Sequence, residues 1–99
     1  MPLAFRTRQV SIPSGTGRRD INDSVSFGSP VRSAAVALNG FQVDYVNSDH
    51  HINVVEIDTD LSSISGNDVH FRVQAHYADK NFDDPYRGYV EVLVIADVA

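Results

Sequence analysis

Ninety-nine residues, 42 % of them hydrophobic, with a formal net charge of −5, make one domain (1–99) with one modest core. That apolar share excludes a disordered chain, and the acidic balance argues against a general phosphate- or nucleic-acid-binding role. The absence of cysteine excludes disulfide staples, cysteine-ligated zinc and thiol catalysis.

The N-terminal MPLAFRTRQV has no apolar core long enough for a secretory signal, and no apolar run approaches a membrane span. Membrane insertion is therefore not expected. The cytoplasm is the default compartment, with secretion or the cell surface left open.

No window carries a sustained helical apolar stripe, and β-branched and aromatic residues recur in short runs between Gly, Pro, Ser, Asn and Asp clusters. Phe5 to Ile12 reads as the first strand, ending at Pro13, after which PSGTGRRDIND opens a polar loop. Ser24 to Phe27 is a short second strand closed by Gly28 and Pro30. Ala34 to Asp44 is a third, bent or bulged around Asn39-Gly40, with a tight Asn-Gly hairpin as the rival reading. VNSDHH is a loop, and Ile52 to Leu61 is the fourth strand. The serine-rich SSISGND then turns the chain into the fifth.

That fifth strand, from Val69, is the clearest. Val69, Phe71, Val73, Ala75 and Tyr77 alternate with His70, Arg72, Gln74 and His76, so one face meets a core and the other is polar. The loop Tyr77 to Tyr89 leads to the sixth strand, Tyr89 to Val98. There Val90, Val92, Val94 and Ala96 oppose Tyr89, Glu91, Leu93 and Ile95, a pattern of a central strand or one covered by a neighbouring subunit. Six strands without crossover helices imply an all-β, six-stranded antiparallel β-sandwich.

Candidate chemistry is sparse. Asp49-His50-His51 has metal-ligating side chains, but neighbours on a strand point apart, so a site would need His70 or His76 as well, and no metal or other cofactor is expected. The polar face His70, Arg72, Gln74, His76 suits a hydrated sheet, a protein contact or a small ligand. The acidic pairs Asp58/Asp60 and Asp83/Asp84 have no evident cleft for general acid–base work. No GxSxG element exists, and Ser14 to Gly17 lacks the end of a phosphate loop, so an enzyme is not expected. In Gly17 to Asp20 an aspartate stands beside arginines, a pairing that suits hydroxyl recognition, with Tyr77, Tyr86 and Tyr89 as apolar faces for a pyranose.

The order of these pieces resembles the H-type lectin domain family of snail agglutinins and discoidin C-terminal domains. The likeness runs through VSFGSPV (Val25 to Val31), AAVALNGFQVD (Ala34 to Asp44), HINVVEI (His51 to Ile57), SGNDVHFRVQAHYAD (Ser65 to Asp79) and YVEVLVIAD (Tyr89 to Asp97). The resemblance implies a sandwich that assembles as a homotrimer, often doubled to a hexamer, and binds N-acetylgalactosamine-type sugars at subunit boundaries, as in cell adhesion. Carried over residue by residue, Gly17, Arg19 and Asp20 match the family's Gly-Arg-Asp loop. Asn53 stands where the family has arginine, Ala78 and Asp79 where it has a Trp-His pair, and Tyr86 or Tyr89 matches its tyrosine before the last strand. The chain has no tryptophan. The expected function is a carbohydrate-binding, multivalent homo-oligomer whose partners are a glycan and copies of itself. The alternative is a structural module that keeps the trimeric scaffold without a sugar site, and a metal-dependent activity through His50 and His51 is a distant third.

Overall fold

The strict alternation of Val69–Tyr77 sets the centre of the molecule. In the computed structural model, which describes residues 2–46, 54–78 and 85–99, Val69, Phe71, Val73 and Ala75 are fully buried. Six strands form around them: β1 (Leu3–Gly15), β2 (Arg19–Ser26), β3 (Val31–Tyr45), β4 (Val54–Ser65), β5 (Asp68–Ala78) and β6 (Tyr86–Val98). They make two three-stranded antiparallel sheets, ordered β1-β6-β3 and β2-β5-β4. The sheets stack as a sandwich, with β5 and β6 central and four edge strands around them.

β6 is the middle strand of its sheet, apolar along its inner face and, apart from Glu91, along its outer one. Its inner side chains Val90, Val92, Val94 and Ala96 pack against those of β5, while Tyr89, Glu91, Leu93 and Ile95 lie half-buried on the outer face. Each Val or Phe removed from water here contributes about 1.5–3 kcal/mol, so this double row dominates the stability.

The strands run further than the sequence pattern indicates. Pro13–Gly15 still belongs to β1 and Arg19–Asp23 to β2, so the expected eleven-residue polar loop shrinks to residues 16–18. β1 is an edge strand, where a proline is tolerated, and a bulge between Ile12 and Gly15 absorbs the irregularity. β2 is also an edge, so it accommodates Asp20, Asn22 and Asp23 while turning Ile21 and Val25 toward the core. Serine-rich Leu61–Ser65 likewise continues β4 through a bulge at Leu61/Ser63, and the turn is only Gly66-Asn67, with Gly66 at φ +60°. β6 starts at Tyr86 rather than Tyr89. At Asn39-Gly40 the chain bulges against Glu91 and does not form a hairpin.

Candidate functional site

Glycine 17, Arg19 and Tyr86 come together at one end of the sandwich, as structure rather than as a cleft. Gly17 sits between β1 and β2 at φ +80°, where a side chain would be strained. The Tyr86 ring is fully buried, 6.0 Å from that of Tyr77, which in turn lies 4.7 Å from Tyr45. Its hydroxyl donates to the Gly17 carbonyl at 2.6 Å, with the Ala75 carbonyl at 3.0 Å sharing the proton. Burial pushes the phenol above its ordinary pKa of 10, and the positive charge of Arg19 opposes that rise. Tyr86 is thus a core residue without a free face for a sugar, which corrects its expected stacking role.

Arg19 and Asp20 do not act as a pair. They are neighbours on β2 and so point to opposite faces. Arg19 turns to the inner side, where its Nη1 donates to the Pro13 carbonyl at 2.8 Å. Asp20 stands exposed on the outer face, beside Gln74 in register.

The outer face of β2-β5-β4 is a ladder of polar rows set by the register. Glu56 flanks His76, and Arg18 reaches Glu56 from the other side, donating from Nη2 at 2.8 Å. Asp20 and Asp58 flank Gln74. Asn22 and Asp60 flank Arg72, whose Nη2 lies 3.3 Å from the Asp60 carboxylate. Ser24 and Ser63 flank His70, in an open groove of about 530 Å³. The expected polar face of β5 is therefore real. His70 and His76 are six residues apart along it, about 20 Å at 3.3 Å per residue, too far to share one ion. Among the described residues no cluster of three or more His, Asp or Glu is placed to hold a metal. Asp49-His50-His51, Asn53, Asp79 and Asp83-Asp84 lie outside the described residues.

Tyr89 occupies the other outer face. It is half-exposed in the middle of β1-β6-β3, with Ser11 on one side and Gln42 on the other. One step along the same face, Arg87 stands opposite Asp44. With Gln9, Ser14 and Pro13 these line an open groove of about 600 Å³. Its floor depends on Gly88, where a Cβ would overlap the Gln42 carbonyl. An aromatic face next to a guanidinium, a carboxylate and an amide is an arrangement suited to a hydroxylated ring. Sequence reasoning singled out Tyr89 and missed Arg87, Gln42 and Asp44. Arg87 was within reach, two residues before Tyr89 on the same face of an extended β6. Gln42 and Asp44 align only through the bulge at Asn39-Gly40, which shifts the register.

Of the predicted residues, then, the described structure joins Gly17, Arg19 and Tyr86 at one end, and puts Asp20 and Tyr89 on opposite outer faces. Set against family models, curated proteins and solved structures, the chain matches none of them.

Proposed function

We propose that this chain is a carbohydrate-binding, lectin-like module that works as a multivalent homo-oligomer. The observation that carries the reading is the Tyr89 groove. There the half-exposed Tyr89 ring, Arg87, Asp44, Gln42 and Ser11 share one shallow polar surface. The tyrosine supplies a stacking face for a pyranose, Asp44 accepts from vicinal hydroxyls, and Arg87 and Gln42 donate to ring or hydroxyl oxygens. N-Acetylgalactosamine-type sugars are the first class to try, because the resemblance to H-type lectins points there.

Asp20 gives the multivalent part of the reading its physical basis. It and Tyr89 face outward from opposite sides of a sandwich whose two sheets lie about 10 Å apart. A single sugar touches both only if a second copy presents one of them. The test is a broad glycan panel followed by titration of the best sugar against Tyr89→Ala and Asp20→Ala. Tyr89→Ala is expected to weaken binding by at least about tenfold, equivalent to 1.4 kcal/mol. Asp20→Ala weakens it comparably, with the solution mass unchanged, only where a neighbouring copy lays Asp20 over the groove. A panel without a single binder would overturn the reading.

A second reading, an assembly module without a sugar site, is favoured by the half-exposed apolar side chains Leu38, Phe41, Val55 and Leu61. It expects a stable oligomer and no glycan.

A further inference from the structure

The two open sides of the sandwich differ in kind. Each sheet ends in an edge strand on each side, so β1 lies over β2 along one seam and β3 over β4 along the other. Along the first seam the inward-pointing positions include Arg6, Arg8, Arg19 and Asp23. Arg8 donates to Asp23 across the seam at 2.9 Å, and the Arg6 guanidinium lies 5.0 Å over the Phe27 ring. Inward charges and an edge proline, Pro13, are devices by which natural sheets keep an edge from pairing with another chain.

Among the described residues the second seam has neither an inward charge nor a strand proline, only the bulges at Leu38/Gly40 and Leu61/Ser63. The inward-pointing positions are Ala34, Val36, Leu38, Phe41, Val43 and Tyr45 on β3 and Val55, Ile57, Thr59, Leu61 and Ile64 on β4, without one charge. Four of them point toward the core yet stay open to solvent: Leu38 at 43 %, Phe41 at 46 %, Val55 at 49 % and Leu61 at 41 %. The sheets do not close over them. The charges of β4 (Glu56, Asp58 and Asp60) turn to the outer face instead.

We infer that the β3/β4 seam is the surface on which a second copy of this chain packs. The inference rests on the homo-oligomeric reading above and locates its contact. Self-association fits because an uncharged strip meets its own copy without like-charge repulsion. It also fits because an edge bare along two strands of 15 and 12 residues needs a partner present whenever the chain is. The area agrees: Phe41 alone offers about 100 Å² of the 150–250 Å² an aromatic side chain buries. With Leu38, Val55 and Leu61, the strip reaches several hundred Å², toward the roughly 800 Å² per partner of a standard interface. The outer-face patch of Leu3, Phe5, Leu93 and Ile95 is the competing surface.

The experiment measures solution mass by light scattering over a dilution series, for the wild type, Leu38→Asp, Leu61→Asp and Phe5→Asp. Wild type is expected at a multiple of 10.9 kDa, and the two seam variants at 10.9 kDa with the circular dichroism of a β-protein retained. Phe5→Asp is expected to keep the wild-type mass. Should a seam variant fail to fold, Phe41→Cys serves instead. The chain has no other cysteine, so its single thiol is expected to react with a water-soluble thiol reagent more slowly in the oligomer than after dilution to 10.9 kDa.

Seam variants that keep the oligomer, or a Phe41→Cys thiol that reacts as fast in it as in the diluted chain, overturn the inference while leaving multivalency intact. If Phe5→Asp dissociates the oligomer instead, the contact belongs to the outer face. A seam-dependent oligomer that binds no glycan sustains the inference and removes the sugar reading. A wild-type monomer removes both the seam contact and the multivalency.

Discussion

Tyr86 shows how much one buried hydroxyl can hold. Its ring fills the end of the core, and its proton is shared by the carbonyls of Gly17, in the turn after β1, and Ala75, in the central strand of the other sheet. Removing that hydroxyl takes a shared donor away from both carbonyls, which typically costs about 1 kcal/mol. Tyr86→Phe is therefore expected to lower the denaturant midpoint at neutral pH without changing the slope, which urea titration checks. The same hydroxyl sets an alkaline limit. Its folded pKa lies above the ordinary value of 10, so the fold favours the neutral phenol. The contribution is full below pH 10 and disappears as pH rises through the folded pKa, because the unfolded phenol ionises first. Wild-type stability is expected to fall above pH 10 more steeply than that of Tyr86→Phe, measured by thermal melts between pH 8 and 11. A tyrosine before the last strand is easy to find in the sequence. That it points inward depends on β6 beginning three residues earlier than the apolar run indicates.

At the scale of elements, the legible parts were those whose alternation is unbroken. The inner and outer faces of β5 and β6 follow directly from Val69–Tyr77 and Tyr89–Val98, because both strands are central and each residue is held to one face. Edge strands obey a weaker rule: they pair on one side only, so Pro13, Asp20, Asp23 and the serines of β4 sit within strands although each resembles a turn residue. The bulges at Ile12/Gly15, Leu38/Gly40 and Leu61/Ser63 restore the register after each irregularity. Propensity alone does not show where such a correction falls. Gly88 marks a tighter constraint. It faces the β3 backbone, and an added Cβ would meet the Gln42 carbonyl and the Cα of Val43, 2.9 Å away. Both obstacles are backbone, so neither can turn aside. Gly88→Ala is expected to destabilise the domain by about 1–3 kcal/mol, as overpacking does, and to disturb the neighbouring Tyr89 groove. Chemical denaturation reads the first effect, and the loss of NMR shift dispersion confined to residues 41–45 and 86–90 reads the second.

For the whole molecule, the proposed lectin reading raises the question whether its sugar site would be complete within one copy. The pairing of Arg19 with Asp20, attractive in sequence because they are adjacent, dissolves once both lie on a strand, since adjacency there means opposite faces. What replaces it is a separation: Asp20 on one outer face and Tyr89 on the other, with the core between. Two consequences can be told apart by breaking the oligomer. If the Tyr89 groove alone holds the sugar, a monomeric Leu38→Asp variant keeps the wild-type affinity for a free monosaccharide and loses only avidity on a glycan-coated surface, a factor of about 10²–10⁴. If Asp20 of a neighbouring copy completes the groove, the same variant loses free monosaccharide binding as well, and Asp20→Ala reproduces that loss without changing the mass. The first outcome is the expected one, because Asp20 lies on β2, the strand farthest from the β3/β4 seam, so a copy packed on that seam leaves it about 20 Å of sheet from Tyr89 at roughly 4.8 Å per strand. Titrating one soluble sugar against the two variants, with mass measured on the same samples, decides it. A monosaccharide affinity unchanged in both would assign the site to a single chain and leave the oligomer the role of multiplying it.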